Sequence, residues 1–206
     1  MKQMERKQLA DRIRTLLWPP KQPGGNCIYV LVDGARDDRI YGAVLAAYDN
    51  KACLYSGALP PELEMTAPHL VEVDPDSRFA ARVLAEGWGE SWGLFVECDA
   101  GLTNLRKHLR QFLVVLDERS TRLIFRYYDP RVLRVFLPTC TPGQLAQFFG
   151  PVRRWVMEDE DPEKALEFVR EKGVVQMRRW NLANSAEPPE VKEIATGVGG
   201  YSSEER

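Results

Sequence analysis

The sequence predicts an α/β fold: a mixed, largely parallel sheet flanked by helices, with a smaller C-terminal α/β lobe as a further expectation. Three observations carry this. Ile28-Tyr29-Val30-Leu31-Val32 is apolar without interruption and rich in β-branched residues, the mark of a strand buried on both faces. Strand-like runs alternate with segments of helical periodicity from Ile28 to Val96, which favours helices packed on a parallel or mixed sheet. Hydrophobic residues make up 44% of 206 residues, enough for an ordinary globular core.

Taken in order, Leu9, Ile13, Leu16 and Leu17 recur at helical spacing. Trp18-Pro19-Pro20 ends that helix, because a residue before proline is pushed out of the α region. Lys21 to Gly25 reads as a turn. After the first strand and its Asp33-Gly34 terminator, Ile40, Tyr41, Val44, Leu45 and Tyr48 mark a second helix. Ala52–Tyr55 and Leu70–Val73 are short strands. Phe79, Ala80, Val83, Leu84 and Trp88 trace a helical face after Asp76-Ser77, and Trp92–Val96 is the next strand.

Leu102, Leu105, Leu109, Phe112, Leu113 and Leu116 form the longest helical periodicity, and Leu123–Tyr127 is a strand. Asp129-Pro130 sets a cap acceptor before a proline at the first helical position. Thr141-Pro142-Gly143-Gln144 is a capping box, closed by Gly150-Pro151. Asp161-Pro162-Glu163 predicts one more helix with Gly173 beyond its end, between strands at Val152–Met157 and Val174–Met177. The chain thus divides into an N-terminal helix and turn (1–25), a core domain (26–152), a C-terminal lobe or extension (153–180) and a flexible tail (181–206). The tail is rich in Pro, Glu, Ser and Gly.

Composition narrows the function. With 28 basic and 30 acidic residues, the chain has no overall pull toward nucleic acid or an anionic membrane. The N-terminal stretch is charged throughout, without a signal-peptide core, and no window is apolar enough for a span. The expectation is a cytoplasmic protein. Cys27, Cys53, Cys98 and Cys140 form no C-x-x-C pair, and are expected to be reduced, buried and inert. No metal or cofactor is expected.

Catalytic signatures are scarce: the sequence holds no G-x-S-x-G, Walker A, H-E-x-x-H or strand-following G-x-G-x-x-G motif. Asp33, Arg36 and Asp37 follow a strand, where functional groups gather in open α/β sheets. Asp-Gly is equally turn chemistry, and Asp37 is a serviceable helix cap. His108 and His69 have no nominated partner, so half-buried structural histidines are expected. Around Arg126-Tyr127-Tyr128-Asp129-Pro130-Arg131, Asp129 serves as cap and ion-pair acceptor, with Arg126 and Arg131 as its candidate partners. Asp33, Arg126, Asp129 and Arg131 are read as an architectural polar cluster. A binding protein is the first reading; a hydrolase using Asp33, Asp37 or His108 is the alternative, and a regulatory scaffold a third.

Six phrases carry a resemblance: LVDGARD (31–37), CLYSGALPPEL (53–63), APHLVEVD (67–74), EGWGESWGLF (86–95), LRKHLRQFL (105–113) and the long run from Leu123 to Val152. Together they resemble the effector adaptors, or effector chaperones, of bacterial type VI secretion, a family catalogued as a domain of unknown function. Two departures stand out: Gly101 and Asn104 replace the usual cap and acidic residue, and Glu118-Arg119-Ser120-Thr121 replaces a Pro-Asp-Gly hairpin turn. The resemblance implies an adaptor without catalytic residues that binds a toxic effector in the cytosol. It helps load that effector onto a VgrG-type spike. Partner choice is expected toward the C-terminus, with Arg154, Trp155, Arg179 and Trp180 as candidate anchors, since Trp and Arg dominate interface energetics.

Overall fold

Antiparallel pairing runs through the whole sheet, and this corrects the expected largely parallel arrangement. The computed structural model describes residues 3–19, 27–116, 118–184 and 186–195. Eight strands form the main sheet: β1 (Cys27–Asp33), β2 (Lys51–Cys53), β3 (Pro68–Val73), β4 (Gly93–Cys98), β7 (Val152–Glu158), β8 (Lys164–Glu171), β9 (Val174–Asn181) and β10 (Glu190–Ala195). Their order is β10-β9-β8-β7-β4-β1-β3-β2. Between β4 and β7 in sequence, β5 (Val114–Leu116) and β6 (Arg122–Ile124) pair with each other as a separate two-stranded sheet.

The physical reason for the correction lies in the crossovers. β3 is antiparallel to both β1 and β2, so β1 and β2 run the same way. β1 is antiparallel to both β3 and β4, so those two also run the same way. The helical connections through Asp38–Ala46 (β1 to β2) and Arg78–Arg82 (β3 to β4) therefore each join two parallel strands, as strand–helix alternation predicts, whereas Pro61–Thr66 joins the antiparallel neighbours β2 and β3. Each parallel pair, however, holds an oppositely directed strand between its members. Alternation fixes direction but not adjacency.

Helices cover both faces. On one lie α1 (Gln3–Leu17), α2 (Asp38–Ala46) and α4 (Arg78–Arg82), whose Leu9, Ile13, Leu17, Ile40, Val44 and Phe79 pack on Ile28, Val30, Val32 and Val71. On the other lie α5 (Leu102–Leu109), α6 (Pro130–Phe136) and α7 (Pro142–Phe149), whose Leu105, Leu109, Leu133 and Phe148 pack on Tyr29, Leu31, Leu94 and Val96. The alternation of β1 side chains between the two cores is the period-2 geometry of a strand, and it explains why its sequence is apolar throughout. The short α3 (Pro61–Thr66) contributes no buried residue.

Local signals behave as their chemistry dictates. Asp37, Ser77, Asp129 and Thr141 each cap a helix through a side-chain acceptor, and Thr141 with Gln144 forms the complete capping box. The π-helical turn Val83–Gly87 ends where an added Cβ on Gly87 would strike the Trp92 side chain, so the backbone packs directly on that tryptophan. Gly93 lies so close to β1 that a Cβ there would overlap the Leu31 carbonyl oxygen.

Four expectations for the last third and its approach are revised. The long periodic run stops being helical at Leu109, passes through a 3-10 turn at Arg110–Phe112 and becomes β5. Lys164–Glu171 is β8, not a helix: Ala165, Leu166, Glu167, Phe168 and Val169 are all buried, so no alternation announces a strand. Residues 152–181 form three antiparallel strands that extend the main sheet instead of an α/β lobe. Part of the expected tail, Glu190–Ala195, is the edge strand β10, and Asn181 ends β9; residues 185 and 196–206 of that tail, and the Lys21–Gly25 turn, lie outside the described residues. Cys98 and Cys140 are buried, while Cys27 and Cys53 are half-buried; no disulfide joins these four, and burial raises each thiol pKa.

Candidate partner-binding surface

Asp33, Arg126, Asp129 and Arg131 form two ion pairs, of which Asp129–Arg131 is one of the two pairings expected for Asp129 and Asp33–Arg126 is not. Arg126 donates through Nε to Asp33 Oδ2 at 3.1 Å, and its Nη2 donates to the same oxygen. Arg131, not Arg126, pairs with Asp129, through Nη2 at 2.6 Å and Nε at 3.0 Å, while the Arg131 N–H completes the helix cap. Asp33 is 0% exposed. Burial pushes its carboxyl above the ordinary carboxylate value, and the Arg126 guanidinium offsets this only in part. Burial acts on Asp129 too, but the Arg131 side chain and N–H outweigh it and hold that carboxyl low.

A pH dependence follows. A carboxyl whose folded pKa is raised binds its proton more tightly folded than unfolded, so its contribution is greatest below the unfolded value of 3.8. That contribution is lost as pH rises through the folded pKa. Asp33→Asn removes the dependence, so its stability relative to wild type should rise as pH increases from below 3.8 through the raised folded pKa in denaturant titrations. A constant difference across that range would contradict the assignment.

The Asp33–Arg126 pair ties the end of β1 to the segment that enters α6, and that segment is the stem of the β5–β6 arm. Tyr127 is fully buried and its hydroxyl donates to Leu109 O at 2.7 Å. The Phe125 N–H donates to Leu113 O at 2.9 Å, closing the base of the arm. Phe112, Phe125, Tyr127, Phe136 and Phe148 pack edge to face or tilted, with centroids 4.7–6.4 Å apart. The information-dense run around Arg126–Arg131 is thus architectural: it makes a rigid aromatic root.

Beyond that root, both strands stand in solvent. Val114, Val115, Leu116, Leu123 and Ile124 are all exposed, Leu116 and Ile124 at 65% each. An isolated two-stranded ribbon is marginal in water, and exposed apolar strand edges invite pairing with another chain. Fully burying one such side chain is worth about 1.5–3 kcal/mol. Sequence periodicity missed this surface because Leu113 and Leu116 also fit a helical repeat; the β-branched pair Val114-Val115 was the available signal.

The C-terminal anchors separate onto two faces. Trp155 is 0% exposed and stacks on Phe148 at 5.2 Å. Arg154, its neighbour, points to the other face and is buried: it donates to Glu97 (2.6 Å), Glu167 (3.0 Å) and the Leu16 and Leu17 carbonyls at the end of α1. Neither is an exposed anchor. Trp180 is half-buried, its indole N–H donating to Glu167 at 3.0 Å, beside a pocket of about 400 Å³ that Arg12, Leu16 and Arg178 also line. Arg179 lies on the opposite face, held by Asp159 and Glu190.

The groups of the hydrolase alternative each have separate structural partners. Asp37 caps α2 and pairs with Arg39. A ring nitrogen of His108 lies 2.9 Å from Phe148 O, and its ring fills the space a side chain on Gly150 (φ +48) would take. His69 Nδ1 meets Ala67 O at 2.9 Å. Among the described residues, no three His, Cys, Asp or Glu side chains cluster as a metal site would require, and no helix is long and apolar enough to cross a membrane.

Fold and surface together define a sheet protein covered by helices on both faces and carrying one rooted apolar arm. Residues 28–147 match the family described as a domain of unknown function (DUF4123), and the chain belongs to that family. The match runs from β1 into α7, takes in the arm, and leaves out β7–β10. No curated protein and no solved structure matches the chain.

Proposed function

We propose that this chain is a non-enzymatic adaptor that binds a type VI secretion effector in the bacterial cytosol and helps load it onto a VgrG-type spike. The observation that carries the reading is the β5–β6 arm: five large apolar side chains held in solvent on a rigid stem. Exposed apolar surface of this kind is costly in a monomer and marks a protein contact. Family membership and the six sequence phrases support the same role. An adaptor needs two contacts, and the half-buried Trp180 beside its pocket, on strands outside the family match, is the proposed second one. Arg179 is the other C-terminal candidate, on the opposite face of β9.

Co-expression of the chain with a VgrG-type spike protein and a type VI effector of the same organism tests this. A complex containing all three, stable through gel filtration, is expected. A chain that elutes alone from both would end the adaptor reading.

A further inference from the structure

We infer that the β5–β6 arm is a blade that inserts into an apolar, acid-rimmed groove of the spike protein. The inference rests on the adaptor reading for the identity of the partner. Its geometry comes from the register, in which Val114 faces Ile124, Val115 faces Leu123 and Leu116 faces Arg122. Strand alternation then puts Val114, Leu116 and Ile124 on one face and Val115 and Leu123 on the other. All five are exposed. A partner lying on one face would leave the other wet, so burying both requires enclosure. Among the described residues the arm is a sheet of two strands, and its outer backbone edges have no ladder partners there. A protein groove supplies such partners, whereas a lipid interior does not.

Charge selects among proteins. Residues 105–126 hold six basic side chains against two acidic, in a chain of net charge -2. Of these, Lys107, Arg110 and Arg122 make no ion pair among the described residues. Two copies meeting arm to arm would oppose like charges, which disfavours self-association, while an acidic rim complements them. The arm lies inside the family match and β7–β10 lie outside it. The shared part fits the partner that all adaptors share, the spike, and leaves the individual effector to other surfaces.

The test places a photo-cross-linking benzoylphenylalanine at Leu116 or at Leu123 in the full chain, co-expressed with a VgrG-type spike protein of the same organism. Both positions, on opposite faces, should cross-link to the spike. Leu116→Asp with Ile124→Asp should weaken spike capture by about 30-fold or more. Its thermal melt should match wild type, since both side chains lie outside the core; if it does not, Leu123→Ser alone replaces it. Cross-links from one face only, to the effector, to a second copy or to lipid would overturn the blade. So would unchanged capture by the variants, although the adaptor reading would then survive. Wild type that captures neither spike nor effector would end both.

Discussion

Arg154→Met should lower the stability of the fold by about 3–5 kcal/mol, the usual cost of removing one partner from a buried ion pair. In a chain of this size that corresponds to a fall in Tm of about 6–20 °C. Three things depend on this guanidinium. It is the hydrogen-bonded cation between Glu97 and Glu167, which are 5% and 3% exposed. It also donates to the Leu16 and Leu17 carbonyl oxygens, which the end of α1 leaves without helical partners. Because α1 is far from β7 in sequence, this contact docks the N-terminal helix onto the C-terminal strands. Arg154→Lys keeps the charge but not the planar fork and should fall between wild type and Met. A loss under about 1 kcal/mol for the Met variant would place the group with surface pairs, against the geometry.

Trp155→Ala should cost about 3–5 kcal/mol as well, for a different reason: it opens a cavity in the opposite core. The ring stacks on Phe148 and meets Phe149 edge-on, so the aromatic root of the arm loses a wall. Its indole N–H has no hydrogen-bond partner among the described residues. Trp155→Phe therefore sacrifices volume but no hydrogen bond, and should cost less. Below its melting temperature, each variant should still bind its partners. Thermal denaturation paired with co-purification separates the two roles. A normal melt with lost binding would return Trp155 to the surface role that its place beside two arginines predicted.

These neighbours show where sequence reading stops. Arg153-Arg154-Trp155 looks like an exposed anchor because charge and aromatics together mark interfaces. In a strand covered on both faces, however, adjacent residues enter opposite cores, and a buried arginine is affordable once Glu97, Glu167 and two helix carbonyls surround it. None of those partners is near in sequence. Two helix starts were legible because capping chemistry is local: Asp129-Pro130 and Thr141–Gln144 act within three residues, whereas the same kind of signal at Asp161-Pro162 precedes strand β8. Strand adjacency was not, because β3 and β1 insert between the strands that helices connect. The polar cluster was legible as a set, but Arg126 reaches across 93 residues to Asp33, a choice that only tertiary structure makes. The arm hid inside a helical repeat and became visible once Val114–Leu116 left the helix to pair with Arg122–Ile124.

The central claim, that this chain delivers a partner instead of transforming a substrate, is tested most directly by following effector release from cells that lack it. The effector that co-purifies with the chain should be made but no longer secreted, while other effectors of the same apparatus are still released. Reintroducing the wild-type chain should restore release. Undiminished secretion of that effector without the chain would contradict the adaptor function outright.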